Sequence, residues 1–162
     1  KNLLIIQIVQ YKNSSLSLEN LKIDDLSFKD QSFFVSNNKD SRILWNGPKN
    51  WILVSTKIEL IKEIKKSCDE INFAITDLSH SKAIIELEGN QAKEVLKKGC
   101  PFNFNELNKN NSFNSTFNGI SVIVDMIDDN PNKIRLFTLR SFGESFYHSI
   151  TDASLEFGYK NI

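Results

Sequence analysis

Apolar and polar positions alternate along most of the chain and predict short strands separated by stretches of helical period. Leu3 to Tyr11 is rich in β-branched residues and predicts a strand. Residues 13–28 are polar with scattered Leu and Ile, and predict a lead-in that docks on the domain without building its core. Gln31 to Val35 predicts a short strand ended by Asn37, Asn38 and Asp40. Arg42–Trp45 and Trp51–Ser55 flank Asn46-Gly-Pro-Lys-Asn50, a hairpin with an indole on each arm. Thr56-x-x-Glu59 predicts a capping box ahead of Ile58, Ile61, Ile64 and Cys68 at helical spacing. Ile71–Thr76 is the next strand. In the one after it Ala83, Ile85 and Leu87 face one way and Glu86 and Glu88 the other, so it is half exposed.

Gly89-Asn90 predicts a turn, with Asn90 capping a helix whose buried face is Ala92, Val95 and Leu96 and whose stop is Gly99 and Pro101. A polar loop leads to Phe113, Ser115 and Phe117, then Asn118-Gly119, a strong two-residue hairpin signal. Ile120, Val122, Val124 and Met126 return, Asp128–Asn132 turns, and Ile134–Leu139 completes a meander. Ser141-x-x-Glu144 predicts a second capping box, and Phe142, Phe146, Ile150, Ala153 and Phe157 form the stripe of a last helix closed by Gly158. The class is α+β. Trp51–Phe117 reads β-α-β-β-α-β, a ferredoxin-like core with antiparallel strands added at both ends and a C-terminal helix. The expected organisation is a strand and lead-in over 1–41 and a main domain over 42–162, compact as a whole.

Composition narrows the function. The 162 residues are 40% hydrophobic and 25% charged, which is globular. Twenty basic residues balance twenty acidic ones, and Arg occurs only at Arg42, Arg135 and Arg140. This argues against nucleic acid or an anionic membrane as partner. The apolar start LLIIQIVQY is broken by Gln7 and Gln10, so no signal peptide or membrane span is expected, and the expected location is the cytoplasm.

Candidate chemistry is sparse. Cys68 and Cys100 stand apart, with only His80 and His148 elsewhere, which is not a zinc pattern. Asp77-Leu-Ser79-His80 holds the residue types of a hydrolase triad. One turn cannot aim three side chains at a common atom, however, so Asp77 and Ser79 are expected to bond their own backbone. Cys100 follows a helix C-terminus, where the dipole disfavours a thiolate. Lys93, Lys97 and Lys98 read as a solvated face, as do Lys62, Lys65 and Lys66. The glycines form no phosphate loop, and Asp125, Asp128 and Asp129 suit a turn better than a metal. No catalytic, cofactor-binding or metal residue is expected, which points to a subunit or binding module.

Several stretches taken in order resemble the gamma subunit of heterotetrameric sarcosine oxidase. They are the hairpin Ile43–Val54 with Trp45, Gly47, Pro48 and Trp51, and the turn with Asp77, Ser79 and His80. Gly89 to Leu96 follows, then the stop Gly99, Cys100 and Pro101 after Lys98. The last are Arg140, Ser141 and Phe142 and, at the chain's end, Glu156, Phe157 and Gly158. The resemblance begins near Arg42 and implies the fold of the folate-binding aminomethyltransferase relatives. It further implies a non-catalytic structural partner of alpha, beta and delta subunits, in a complex that demethylates sarcosine oxidatively. FAD, FMN and NAD, and the tetrahydrofolate that takes the one-carbon unit, would then sit on other subunits, with zinc on delta. Two departures stand out: Asn110-Asn111 replaces a Pro-Gly pair, and Tyr147 and Ile150 replace tryptophans of the last helix.

A stand-alone folate-binding aminomethyltransferase is the alternative. Gly119, however, is followed by Ile120 and not by an acidic residue, and the chain is short for a second lobe. A gamma-like subunit of a related dehydrogenase, such as one for methylglutamate, is a further option. A folate-dependent iron–sulfur maintenance protein fits less well, because Lys98-Gly-Cys100 continues into Pro-Phe-Asn-Phe. As a subunit the chain should expose apolar surface, with Phe102, Phe104, Tyr147 and residues 13–28 as candidates.

Overall fold

The computed structural model describes residues 3–162; Lys1 and Asn2, part of the 1–41 segment, lie outside the described residues. The chain forms two compact units, Lys1–His80 and Ser81–Ile162.

The first unit contains β1 (Leu4–Gln10), β2 (Lys22–Ile23), β3 (Leu26–Ser27), β4 (Val35–Asn37), β5 (Ser41–Gly47), β6 (Asn50–Ser55), α1 (Leu60–Ser67) and β7 (Phe73–Asp77). Its main sheet has the order β4-β5-β6-β1-β7, with every neighbouring pair antiparallel. Ile6, Ile8, Ile43, Trp51, Leu53 and Phe73 gather with Leu60 and Ile64 of α1 and with Cys68 in one core. The lead-in differs from expectation. Leu21, Ile23, Leu26 and Phe28 are buried in that same core. The scattered apolar residues are therefore core positions, spaced by the tight β2–β3 turn, where Asp24 and Asp25 take positive φ.

The second unit contains β8 (Lys82–Glu88), α2 (Ala92–Lys97), β9 (Ser112–Phe117), β10 (Ile120–Asp129), β11 (Asn132–Leu139) and α3 (Gly143–Ser154). Its antiparallel sheet has the order β8-β11-β10-β9. Phe113, Phe117, Val122, Val124, Ile134 and Leu136 pack against Val95 and Leu96 of α2 and Phe146 and Ile150 of α3. Asn118 and Gly119 both take positive φ and make the hairpin the sequence predicts, since that turn needs left-handed residues at both centres.

The α+β class, antiparallel sheets and C-terminal helix stand as expected. The elements from β6 to β9 do occur in the order β-α-β-β-α-β, but they do not share a sheet. β6 and β7 belong to the first sheet, with β1 between them, while β8 and β9 lie at the two ends of the second. Neither expected capping box forms. α1 begins only at Leu60 and has no side-chain cap; Ser55, not Thr56, accepts the Lys57 amide at 3.0 Å, and Ile58 is 57% exposed. Ser141 lies inside a 3-10 turn (Arg140–Phe142) that runs into α3, whose N-cap position is Phe142 and carries no side-chain cap bond. α2 likewise starts after Gln91 with no side-chain cap, so Asn90 is not its N-cap.

Candidate functional site

The Asp77–His80 turn works as a backbone clamp. The Asp77 carboxylate accepts the Ser79 amide at 2.9 Å, and the Ser79 hydroxyl oxygen accepts the Ile5 amide at 3.0 Å. The Leu78 amide donates to the Ile5 carbonyl at 2.8 Å, so the turn fastens the end of β7 to the start of β1. The Ser79 side chain, followed by its amide, holds the Asp77 carboxyl below the usual carboxylate range. Asp77 bonds the backbone of its own turn as expected, whereas the Ser79 hydroxyl, expected to do the same, takes the Ile5 amide of β1 instead. In the hairpin Trp45 and Trp51 are cross-strand partners. Trp45 Nε1 donates to Asp30 Oδ1 and Trp51 Nε1 to the Lys29 carbonyl, each at 2.8 Å. Phe28 meets the Trp51 ring edge-on at 5.5 Å. Pro48 is exposed beside Gly47 at the tip.

In the second unit the helix stop and the end of the chain are joined by one lysine. Lys98 Nζ donates to the Ala153 carbonyl at 2.7 Å, lies 2.7 Å from Glu156 Oε2, and stands 4.7 Å from the centre of the Phe157 ring. A cation here meets the carbonyl end of α3, where the helix dipole is negative. Lys93 Nζ likewise donates to the Leu107 carbonyl at 2.7 Å. Lys93 and Lys98 are therefore structural ties rather than members of a solvated face. A short backbone approach explains Gly99: a Cβ there would stand 2.6 Å from Asn118 Oδ1 and 3.0 Å from Phe117 Cε2, and the Asn118 amide donates to the Gly99 carbonyl at 2.9 Å.

Cys100 is buried, its Sγ 3.1 Å from Ser115 Oγ, and burial pushes its thiol up. Burial pushes the Cys68 thiol up to about 12, and Asp69 adds to this. Asp128 and Asp129 hold a turn: Asp128 Oδ2 lies 3.1 Å from Lys109 Nζ, and Asp129 Oδ2 accepts the Lys109 amide at 2.8 Å. Asp125 is not part of that turn. It is fully buried on β10, opposite Ser112 and Arg135. Among the described residues no group of three or more His, Cys, Asp or Glu could hold a metal ion. Nor is any described helix long and apolar enough to cross a membrane.

The aromatic residues singled out for a partner face separate. Phe104 lies in the core, 1% exposed, so it is removed from any such face. Phe102 is half-buried and stacks on Phe113 at 3.8 Å, while Tyr147 is 40% exposed. Phe142, Leu155 and Tyr159 add exposed apolar surface at both ends of α3. An open groove of about 460 Å³ lies between β8 and α3, lined by Ile85, Leu87, Tyr147, Thr151 and Tyr159 among others. Sequence reasoning missed this groove. The half-exposed alternation of β8 was its signal, but only topology shows that β8 is a sheet edge.

No family model matches the chain. It is 26% identical over 118 residues to the sarcosine oxidase subunit gamma of Corynebacterium sp. (strain U-96), covering 71% of this chain and 57% of that protein. The chain is similar to a sarcosine oxidase gamma subunit. It spans little more than half the length of the curated relative it matches. Its fold is that of a chain in heterotetrameric sarcosine oxidase from Corynebacterium sp. U-96, solved in complex with pyrrole 2-carboxylate. The TM-score is 0.86 at 20% identity, over 99% of this chain and 84% of that one. Several of the motif residues make contacts that hold the fold. The Trp45–Trp51 hairpin pins the lead-in, Asp77 and Ser79 clamp β1, and Lys98 ties its helix stop to Glu156 and Phe157. The Arg140 amide donates to the Ser81 carbonyl at 2.9 Å and sets the approach to α3.

Proposed function

We propose that the chain is a gamma-type subunit of a sarcosine oxidase assembly, non-catalytic by itself and structural in role. Its companions are alpha, beta and delta subunits in the cytoplasm. FAD, FMN, NAD and tetrahydrofolate belong to those companions, and sarcosine is the substrate of the whole. One observation carries this: sequence likeness to a named gamma subunit and fold likeness to a chain of the heterotetramer fall on the same polypeptide. The use made of the motif residues supports it. Asp77, Ser79, Cys100 and Lys98, the groups with chemistry to offer, are taken up by strand ends, a core and a helix terminus. Co-expression with the larger subunits encoded beside it, followed by purification through a tag on this chain, tests the proposal. A stoichiometric complex oxidising sarcosine is expected. Elution of this chain alone while the others are soluble overturns it, as does sarcosine turnover or saturable tetrahydrofolate binding by the isolated chain.

A further inference from the structure

α3 runs alongside β8 and in the same direction. At its start a Cβ on Gly143 would stand 3.0 Å from that of Ala83, and at its end Ser154 and Phe157 lie beside Leu87 and Glu88. Gly158 takes a φ of +71° and its amide donates to the Leu155 carbonyl at 3.2 Å, a left-handed stop that reverses the chain. Residues 159–162 then run back between helix and strand. Asn161 Nδ2 donates to the Tyr147 hydroxyl at 2.8 Å, which holds it about two turns up α3 from the stop. The segment is therefore antiparallel to β8, as each strand of this sheet is to its neighbour. β8 pairs with β11 on one side only, and the groove of about 460 Å³ on the other is lined both by β8 and by residues 158–162. Ile162, at its far end, is fully exposed.

We propose that residues 158–162 close onto β8 as the fifth strand of this sheet, a strap that the chain itself supplies to its open edge. The reach fits, since four residues past Gly158 extend about 13 Å, the length of β8 from Glu88 to Ile84. Side-chain alternation sets the register. Asn161 faces α3, so Tyr159 shares that side with Ile85 and Leu87, which pack towards the helices. Lys160 and Ile162 then share the other side with Ile84, Glu86 and Glu88. With Gly158 opposite Glu88, where it already lies nearest, Tyr159 meets Leu87, Lys160 meets Glu86, Asn161 meets Ile85 and Ile162 meets Ile84. Every pair in this register falls on one face, a cation stands opposite a carboxylate, and the exposed isoleucine gains an apolar partner. The closed strap occupies the row of main-chain groups through which an open edge would pair with another molecule.

Amide hydrogen exchange tests this on the 162-residue chain by itself, at two concentrations, beside a variant lacking residues 159–162 that keeps the Gly158 stop. The β8 amides directed away from β11 should exchange about tenfold or more slowly in the intact chain than in the shortened one, at both concentrations. Lys160→Glu, which sets like charges opposite each other, should lower that protection severalfold. The β8 amides directed towards β11 should stay slow throughout, which reports an intact sheet. If the shortened chain loses these too, it has lost its fold, and Lys160→Glu decides. Outward amides equally fast in the intact and shortened chains overturn the strap. Protection that vanishes on dilution assigns the edge to a second copy, and protection that survives the deletion leaves residues 159–162 without a part in it; both overturn the proposal. Full protection in Lys160→Glu overturns the register and the proposal with it.

Discussion

Replacing Lys98 by Met keeps the aliphatic stem and removes the ammonium, so it isolates the tie between the α2 stop and the end of α3. The charge-assisted bond to the Ala153 carbonyl, at 2.7 Å, contributes about 1.5–3 kcal/mol by itself. The Glu156 contact adds at most about 1 kcal/mol, because its partner is 67% exposed and screened. The cation 4.7 Å from the Phe157 ring adds about 0.5–1 kcal/mol. One ammonium makes all three contacts and water can recover part of the carbonyl's loss, so they do not sum; about 2 kcal/mol is expected. For a unit of this size that lowers the midpoint of thermal unfolding by about 8–15 °C. Urea and thermal titrations followed by amide circular dichroism measure it, with Glu156→Gln as the comparison. Molar salt should remove most of the Glu156→Gln effect and little of the Lys98→Met effect. The reasoning is refuted if Lys98→Met costs no more than Glu156→Gln, since Lys98 would then be an ordinary solvated lysine.

Three shorter predictions follow from contacts already described. Gly99→Ala places a Cβ 2.6 Å from Asn118 Oδ1 and 3.0 Å from the buried Phe117 ring, so these side chains must shift, and it should cost about 1–3 kcal/mol in a urea titration. Cys68 and Cys100, 1% and 5% exposed and with thiols pushed up by burial, should resist a disulfide reagent at pH 8 until denaturant is added. Labelling of either in the folded chain would contradict the packing. Asp77→Ala should destabilise the first unit at neutral pH. The folded carboxyl titrates below its ordinary 3.8, so its contribution is complete above that value and is lost as pH falls through the folded value. The stabilities of Asp77→Ala and the parent should therefore converge as pH falls through the lowered titration of the folded carboxyl, and a constant gap through the acid limb would remove Asp77 from the clamp.

What could be read from residue order was whatever is decided within a few residues. Asn118-Gly119 makes its hairpin because both centres need positive φ, and Asp77-x-Ser79 makes its turn because the acceptor and amide are two residues apart. What could not be read depended on distant chain. Lys98 looks solvated on its own helix, yet its acceptor is a carbonyl at the far end of α3. Phe104 follows a proline and polar residues, but a 3-10 turn (Phe104–Glu106) carries its ring into the core. The capping signatures failed for a local reason of a different kind: the helices begin later than the Thr56 and Ser141 patterns imply. The division of the strands between two sheets turns on β1, which enters beside β7 from far away in sequence. For the same reason the β8 groove was invisible: a strand's pattern tells which faces are wet, not which edges are open.

The Trp45–Trp51 pair has a practical consequence. The chain's two indoles both fall within Lys1–His80, while Tyr147 and Tyr159 fall within Ser81–Ile162. Emission excited at the indole band is therefore a private channel for the first unit and blind to the second. Superimposable denaturation curves by indole emission and by backbone ellipticity would mean that the two halves melt as one. Curves that part company would give each half its own free energy, without cutting the polypeptide or attaching a dye.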